Sequence, residues 1–434
     1  MNLETSQLED DASRQAARPA DKPGARNPFA GFAEPFRKSE AFPYLWLGQL
    51  VSFLGSSVTL VILPIIVYSL TGSSTTMGLL MAAYMLPNII MLPISGTLVD
   101  RYNRTNLMLL TDLLRFSVMG VLAVLLFTDA LTIQLLFILV TSYGLMDGLF
   151  QPAYAATRAA VFTPDIRNSA NALTQISNQA VRLIGPSLGG VLVTFFSAGW
   201  GVALDALTYV VSFLCLFGLR KLVPYQPKET GKSAGMSADF KEGLAVLRAK
   251  PWLWITILAF SLVNICFGAI ITVVIPWLFK IHLDLKPYVY GIAVTCSGVG
   301  AIAAGLLFGT KKRWRHRGLF AYGGALLSGI SLLLMATAPA PGVLCVLFAL
   351  EGFGLMMFGL IWETSMQEMV PQETFGRVAS LDMLGSFALL PIGYIVVGWL
   401  ADSIGGLQTI ALFASIGTLA VLAVMFTPAV RNYD

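Results

Sequence analysis

Apolar residues occur along this chain in long runs that are separated by shorter polar stretches. A helix needs about 20 consecutive apolar residues to cross a membrane. Twelve runs reach that length, and the Gly and Pro inside several of them are tolerated in membrane helices. The pattern therefore predicts an all-α integral membrane protein with twelve transmembrane helices. The predicted spans are residues 43–70, 77–99, 105–128, 132–157, 168–196, 200–220, 252–280, 288–310, 318–338, 342–369, 376–401 and 406–428.

One long polar connection, residues 221–250, divides the twelve runs six and six. The entries to the fifth and eleventh runs look alike, and each run then contains a proline, Pro186 or Pro391. Such repeats are typical of transporters built from two halves around a central site. We therefore expect two pseudo-symmetric six-helix bundles. The expected segments are a disordered cytoplasmic tail (1–40), an N-terminal bundle (41–220), a cytoplasmic linker (221–250) and a C-terminal bundle (251–430).

Composition excludes a soluble protein. Hydrophobic residues make up 56% of the chain and charged residues 12%, whereas soluble domains are about a quarter charged. The cysteines all lie in apolar runs and none forms a Cys-x-x-Cys pair, so neither a disulfide framework nor a zinc site is predicted. We expect no metal and no cofactor. The cysteines are Cys215, Cys266, Cys296 and Cys345.

Basic residues cluster on one side of the predicted bundle. The connections after even-numbered spans and the long middle connection carry most of the Arg and Lys residues, whereas the other connections carry Lys280 and Lys286. Cytoplasmic loops of membrane proteins hold the excess of positive charge. Both termini and the middle connection are therefore predicted to be cytoplasmic, in a multi-pass protein of the cytoplasmic (inner) membrane.

A short charged motif, Gly-Thr-Leu-Val-Asp-Arg-Tyr-Asn-Arg, follows the second span and begins at Gly96. It resembles the loop between helices 2 and 3 of the major facilitator superfamily, with the acid at Asp100 and the basic positions at Arg101 and Arg104. The family usually has Gly where this chain has Asn103, and Asn tolerates a left-handed turn better than most residues. The resemblance implies that Asp100 docks at the cytoplasmic start of span 11 and latches the outward-open state. The alternative is a topology signal alone.

The fifth span carries a second motif, built around Gly185-Pro186 and Gly189-Gly190. Gly185 and Gly189 lie on one helix face and allow another helix to approach closely, and Pro186 can bend the helix because it removes a backbone hydrogen bond. The stretch resembles the antiporter motif of drug:proton antiporters in the same superfamily. The wider run from residue 151 to 190 resembles the branch that contains macrolide and multidrug exporters and a siderophore exporter. Ordinary tight packing is the alternative explanation of the glycines.

Ionisable residues inside the membrane are costly and are therefore functional candidates. Asp147 in span 4 and Arg182 in span 5 lie at similar predicted depth, where opposite charges would stabilise each other. Glu351 in span 10 is a further acid. We select Asp147, Glu351 and Arg182 as proton-coupling candidates, with Asp147 first because the resemblance implies that spans 1, 4, 7 and 10 line a central cavity. A permanent ion pair that only joins spans 4 and 5 is the alternative.

Other membrane charges have simpler interpretations. Asp112 and Arg115 are three residues apart in span 3, on one helix face, and favour a local pair beside the cytoplasmic loop. Asp205 and Asp382 are interpreted as members of interhelical pairs.

Polar, aromatic and Met side chains of the lining spans are candidates for contact with cargo, since Met and aromatic groups suit a large and variable apolar ligand. The alternative for each is helix packing. The candidates are Gln49, Ser52, Ser56, Tyr143, Asn264, Phe353, Met357 and Trp362.

These features predict a secondary active transporter that exports amphipathic drugs of the macrolide or multidrug type by proton antiport through alternating access. Its expected partners are an amphipathic small molecule, protons and membrane lipids, with no nucleic acid, and the chain is expected to be a monomer without enzymatic activity. Export of a siderophore or another specific metabolite, or lysophospholipid transport, is the alternative. A non-transporting membrane sensor or scaffold is the alternative of another class.

Overall fold

The computed structural model describes residues 30–223, 244–309, 316–337 and 340–431 of the chain. Within these ranges the protein is helical and has no strand. Twelve long helices match the twelve predicted spans. They are α1 (Ala41–Thr71), α2 (Ser74–Arg101), α3 (Arg104–Phe127), α4 (Ile133–Val161), α5 (Arg167–Phe195), α6 (Ala198–Leu222), α7 (Pro251–His282), α8 (Pro287–Phe308), α9 (Arg317–Met335), α10 (Pro341–Met369), α11 (Gln372–Phe387, then Leu390–Ile404) and α12 (Gly406–Met425).

Among the described helices, eleven are long and apolar enough to cross a membrane. The twelfth, α5, is less apolar because it carries Arg167, Asn171, Gln175 and Arg182 between its start and its middle. Two helices are not regular throughout. The chain of α7 changes to π-helical geometry at Asn264, and α11 is interrupted between its two segments.

Two predicted segments are described only in part. Residues 1–29 of the expected tail and 224–243 of the expected linker lie outside the described residues. The described end of the tail forms a short helix, Ala30–Lys38, where Phe36 packs edge-on against Phe42 of α1.

Helix packing in the second half repeats that in the first, shifted by six helices. In the first half α1 packs against α5 and α6, α2 against α4, and α3 against α4 and α6. In the second half α7 packs against α11 and α12, α8 against α10, and α9 against α10 and α12. The predicted pair of pseudo-symmetric six-helix bundles is thus confirmed.

The two bundles meet where α5 packs on α8 and where α2 packs on α11. Four glycines bring these backbones together, and we call them the glycine clasp. The clasp consists of Gly78, Gly190, Gly291 and Gly398. A Cβ atom on any of them would lie too close to the backbone of the facing helix. The backbone that it would meet is Tyr394 for Gly78, Pro287 for Gly190, Pro186 for Gly291 and Ser74 for Gly398.

Polar contacts lie beside the clasp at both interfaces. The Asp402 carboxylate of α11 accepts hydrogen bonds from the Ser74 amide (2.8 Å) and the Thr75 amide (2.9 Å), and so caps the start of α2. The Thr194 hydroxyl of α5 accepts a hydrogen bond from the Tyr288 amide at the start of α8, at 2.9 Å. Asp402 and Thr194 each follow a clasp glycine by four residues, so the two caps are pseudo-symmetric.

These contacts lie at one end of the bundle, the end that carries the α1–α2, α7–α8 and α11–α12 connections. We call it the distal end, because it is opposite the end where the helices Ala30–Lys38 and Pro428–Arg431 lie. The described structure therefore has the two bundles packed together at the distal end.

We predict that Gly78→Ala lowers the thermal unfolding midpoint of the protein in detergent micelles. The added methyl group meets the Tyr394 carbonyl, and overpacking of this kind costs about 1–3 kcal/mol. Gly120→Ala is the matched control, because nothing lies within 4 Å of a Cβ atom at that position. Equal midpoints for the two variants would contradict the close approach of α2 and α11.

Candidate functional site

A buried ion pair organises the N-terminal bundle. An Arg115 guanidinium nitrogen in α3 lies 2.7 Å from Asp147 Oδ1 in α4, and the two side chains are 3% and 17% exposed. Asp147 Oδ2 accepts hydrogen bonds from the Tyr84 hydroxyl (2.9 Å) and the Asn88 amide (3.1 Å), both in α2. Asp147 therefore joins α2, α3 and α4 through one carboxylate.

Aromatic rings surround the guanidinium of Arg115. It lies 4.2 Å from the ring centre of Phe150 and 5.7 Å from those of Tyr143 and Tyr209, at distances where a cation is attracted to a ring face. Asp112 Oδ1 lies 3.8 Å from the guanidinium, which confirms the predicted local pair. The pair is fully buried.

Arg182 does not pair with Asp147, so that suggestion from the sequence is wrong. The reason is helix order: α5 packs against α1 and α8, whereas Asp147 faces α2 and α3. The Arg182 guanidinium instead lies 5.9 Å from the ring centre of Phe53 in α1. Arg182 is exposed and borders a cavity.

That cavity has a volume of about 350 Å³ and lies among α1, α2, α3 and α4, and Arg182 of α5 is also part of its lining. Two predicted cargo residues, Ser56 and Tyr143, are part of its lining. Their hydroxyl groups both lie within hydrogen-bond distance of Tyr209, at 3.0 and 2.6 Å. The other two candidates of the N-terminal bundle both lie in α1. Ser52 is buried there, and Gln49 is partly buried.

The C-terminal bundle has its own buried acid. Glu351 is 4% exposed, and its carboxylate accepts a hydrogen bond of 2.9 Å from the Ser297 hydroxyl of α8. In the same bundle Asn264 donates a hydrogen bond of 3.1 Å to the Ser386 carbonyl of α11. Asn264 is also the first residue of the π-helical part of α7.

The predicted cargo residues of α10 contact neighbouring helices. Trp362 donates a hydrogen bond of 3.2 Å to Asp382 of α11, so Asp382 does take part in an interhelical contact. Phe353 packs edge-on against Phe308 of α8. The Cβ atom of Met357 faces Gly324 of α9. These contacts agree with the packing alternative, and a role in cargo binding stays a prediction.

The charged motif lies at the C-terminal end of α2, opposite the distal end of the bundle. Gly96, Asp100 and Arg101 are exposed there, and Arg104 donates a hydrogen bond of 3.5 Å to a carbonyl oxygen of α4. Asn103 does not adopt a left-handed turn as expected. Its φ is −63°, and its side chain caps α3 by accepting from the Thr105 amide at 3.0 Å. Docking of Asp100 on α11 stays a prediction.

The glycine motif packs α5 between two helices. Cβ atoms on Gly185 and Gly189 would meet Ser57 and Val58 of α1, whereas Gly190 faces α8. The carbonyl of Pro186 lies against Gly291 in α8. The motif thus links the first bundle to the second.

Together, the fold and these sites define a multi-pass membrane protein with the two-bundle architecture of a small-molecule transporter. The chain belongs to the Major Facilitator Superfamily, whose sequence model matches residues 45–389.

Two similar proteins are exporters by name. Macrolide efflux protein A of Streptococcus pyogenes is 23% identical over 397 residues, which cover 90% of this chain and 96% of that protein. Multidrug efflux pump Tap of Mycolicibacterium fortuitum is 24% identical over 391 residues, which cover 88% of this chain and 94% of the pump.

Solved structures agree on the fold. A bacterial homologue of the iron transporter ferroportin in the inward-facing state superposes with a TM-score of 0.69 at 17% identity, over 89% of this chain and 99% of that chain. The nucleoside transporter NupG superposes with a TM-score of 0.66 at 13% identity, over 91% of this chain and 100% of that chain.

We predict that Asp147→Asn strongly lowers the thermal unfolding midpoint, because it leaves Arg115 charged, buried and without its near partner. Breaking one side of a buried ion pair typically costs about 3–5 kcal/mol. Arg115→Gln is also expected to destabilise the protein, and the double variant is expected to lose less than the sum of the two single losses.

Asp129→Asn is the control, because Asp129 lies in the exposed α3–α4 turn. Strict additivity of the two single losses would show that Asp147 and Arg115 do not stabilise each other.

Proposed function

We propose that the protein exports amphipathic small molecules of the macrolide or multidrug type, in exchange for protons, by alternating access. The cargo class is supported by the two similar exporters named above, each of which aligns with about nine-tenths of this chain. The cavity beside Ser56 and Tyr143 supports a binding place for an apolar molecule. Export of a siderophore or another metabolite, or lysophospholipid transport, requires the same machinery with a narrower cargo range.

Alternating access is supported by the way the bundles meet. The glycine clasp and its two polar caps join the bundles at the distal end. We take this end to face the outer side of the inner membrane, because the connections at the opposite end carry most of the basic residues. The fold also resembles a transporter solved in an inward-facing state. Opening of the clasp would convert this arrangement into an outward-facing one.

The observation that carries the proton-coupled part is the position of Glu351. It is buried, and its hydrogen-bond partner among the described residues is the neutral Ser297 hydroxyl, whereas Asp147 already faces Arg115. A carboxyl group among neutral partners changes the net charge of its surroundings whenever a proton binds or leaves, and that change can bias one conformation over another. We assign the proton to Glu351 first. Asp147 is the second candidate, because protonation there would release Arg115.

We predict that Glu351→Gln removes the dependence of export on a pH gradient, since a glutamine keeps the shape of the side chain but binds no proton. The measurement is export of erythromycin and N-phenyl-1-naphthylamine from reconstituted vesicles, with proton flux followed in parallel. Glu363→Gln is the control, because Glu363 lies on the same helix but is exposed. Gradient-driven export that persists in Glu351→Gln would remove Glu351 from the coupling mechanism.

The same vesicles discriminate a transporter from a membrane sensor or scaffold. A sensor would give no flux of either compound in the unmodified protein, with or without a pH gradient. Measurable gradient-driven export by the unmodified protein excludes that alternative.

We also predict that Asp402→Asn opens the distal end more often. The uncharged amide loses the charge-assisted hydrogen bonds to the start of α2, which are roughly twice as strong as neutral ones. Spin labels at Ala130→Cys and Lys286→Cys, in a background without the native cysteines, report the distance between the bundles. Ser403→Ala is the control, because the Ser403 hydroxyl donates a hydrogen bond within its own helix, to the Trp399 carbonyl. An unchanged distance distribution in Asp402→Asn would count against this closure.

A further inference from the structure

Arg182 is a cation in the middle of α5 that borders the cavity of the N-terminal bundle. In the part of the chain that the structure describes, its guanidinium has no carboxylate within the 4.0 Å of an ion pair, and its contact is the ring of Phe53. A guanidinium at membrane depth is costly without a counter-charge and normally marks a substrate or ion pathway. The side chain is exposed, so it can reach a ligand in the cavity.

The other polar groups of the cavity wall are bonded to the protein. The Tyr84 hydroxyl donates to Asp147, and the Thr59 hydroxyl donates to Asp205 at 2.6 Å. The Ser56 and Tyr143 hydroxyl groups face Tyr209. Among the described residues that line the cavity, Arg182 is therefore the strong hydrogen-bond donor that remains available to a ligand.

The acids near the cavity lie behind its wall. Asp147 is neutralised by Arg115 at 2.7 Å. Asp205 is fully buried behind Thr59 and is also bonded to the hydroxyl of Thr208. No acid is among the described residues that line the cavity, so a positively charged ligand would meet Arg182 and no carboxylate.

The remaining wall is apolar and comes from four helices. It includes Leu63 of α1, Met81 of α2, Leu122 of α3 and Leu139 of α4. Ligand sites commonly combine such walls with few polar groups that fix orientation. A ligand that fits has an apolar body in contact with these side chains and an acidic group at the Arg182 edge.

We propose that Arg182 binds an acidic group of the cargo, so that the site favours amphipathic anions over amines with the same apolar body. Within the proposed cargo range, an amine such as erythromycin would then be a weaker ligand of this site than an acidic compound. The guanidinium offers a planar pair of donors that suits carboxylate, sulfonate or phosphate oxygens. This inference rests on the proposed function only in taking the bound molecule to be cargo; the binding preference itself requires no transport.

The test uses two fluorescent probes that differ by one acidic group. 8-Anilino-1-naphthalenesulfonate carries a sulfonate, and N-phenyl-1-naphthylamine has the same rings without it. Their affinities are measured with the full-length protein in lipid nanodiscs, against empty nanodiscs. We expect Arg182→Gln to weaken binding of the sulfonate roughly ten- to hundred-fold, while binding of the neutral probe changes less than about two-fold on the same scale.

Further variants separate charge from shape. Arg182→Lys should retain part of the sulfonate affinity, and Arg182→Glu should abolish it while the neutral probe still binds. Arg167→Gln is the matched control, because Arg167 is an exposed arginine at the N-terminal end of the same helix. Equal losses for both probes, or unchanged sulfonate binding in Arg182→Gln, would overturn the inference.

A measurement on the unmodified protein keeps the inference testable if the variants do not fold. Octanoate and octylammonium are compared as competitors of the bound neutral probe. Stronger displacement by octanoate supports an anion-binding edge, and equal or stronger displacement by octylammonium contradicts it.

Failure of the two proposals can be told apart. If the unmodified protein binds the sulfonate through Arg182 but shows no gradient-driven export, the binding site stands and the antiport proposal fails. If it exports N-phenyl-1-naphthylamine under a pH gradient but Arg182→Gln leaves sulfonate binding unchanged, the antiport proposal stands and the anion preference fails.

Discussion

Four glycines let helix backbones of the two bundles come into direct contact. Gly78 and Gly398 let α2 and α11 touch, and Gly190 and Gly291 do the same for α5 and α8. Helix association in a membrane is driven by close packing and hydrogen bonding, because lipid tails are as apolar as the helix surface. Glycine permits both interfaces, and the pseudo-symmetric caps from Asp402 and Thr194 add polar bonds at the same end. The position of each bundle relative to the other follows from these contacts.

The two bundles are alike in helix packing but differ in the partners of their buried acids. Gly144 of α4 packs on the backbone of Tyr84, and Gly352 of α10 packs on the backbone of Ser297 in the equivalent place. In the first bundle the neighbouring acid, Asp147, is held by an arginine and two further donors. In the second bundle Glu351 has a serine hydroxyl as its described partner. Glu351 is therefore the acid that we propose for proton coupling, whereas Asp147 and Arg115 balance each other's charge.

Helix content and order follow closely from the sequence, because an apolar run of sufficient length can satisfy its backbone in a membrane only as a helix. Contacts between helices do not follow in the same way. Adjacent spans at similar depth suggest Arg182 as the partner of Asp147, but its partner in the structure is Arg115. From the sequence, Arg115 is expected only to pair locally with Asp112, and it contacts both acids. The charge of Arg115 inside a predicted span indicates a functional or structural role from the sequence alone. Nothing in the sequence indicates that Tyr84 and Asn88 bond to Asp147.

The length of the apolar runs and two local motifs are enough to predict the twelve spans, the division into halves and the family. These are properties of consecutive residues, and the cost of exposing polar backbone to lipid allows few alternatives. The pairing of acids with bases, the position of the cavity and the place of Arg182 in its lining can be read only from the folded helices. Those relations join residues from helices distant in the chain, and they depend on how each helix is rotated about its axis, which packing of small side chains against neighbouring helices determines.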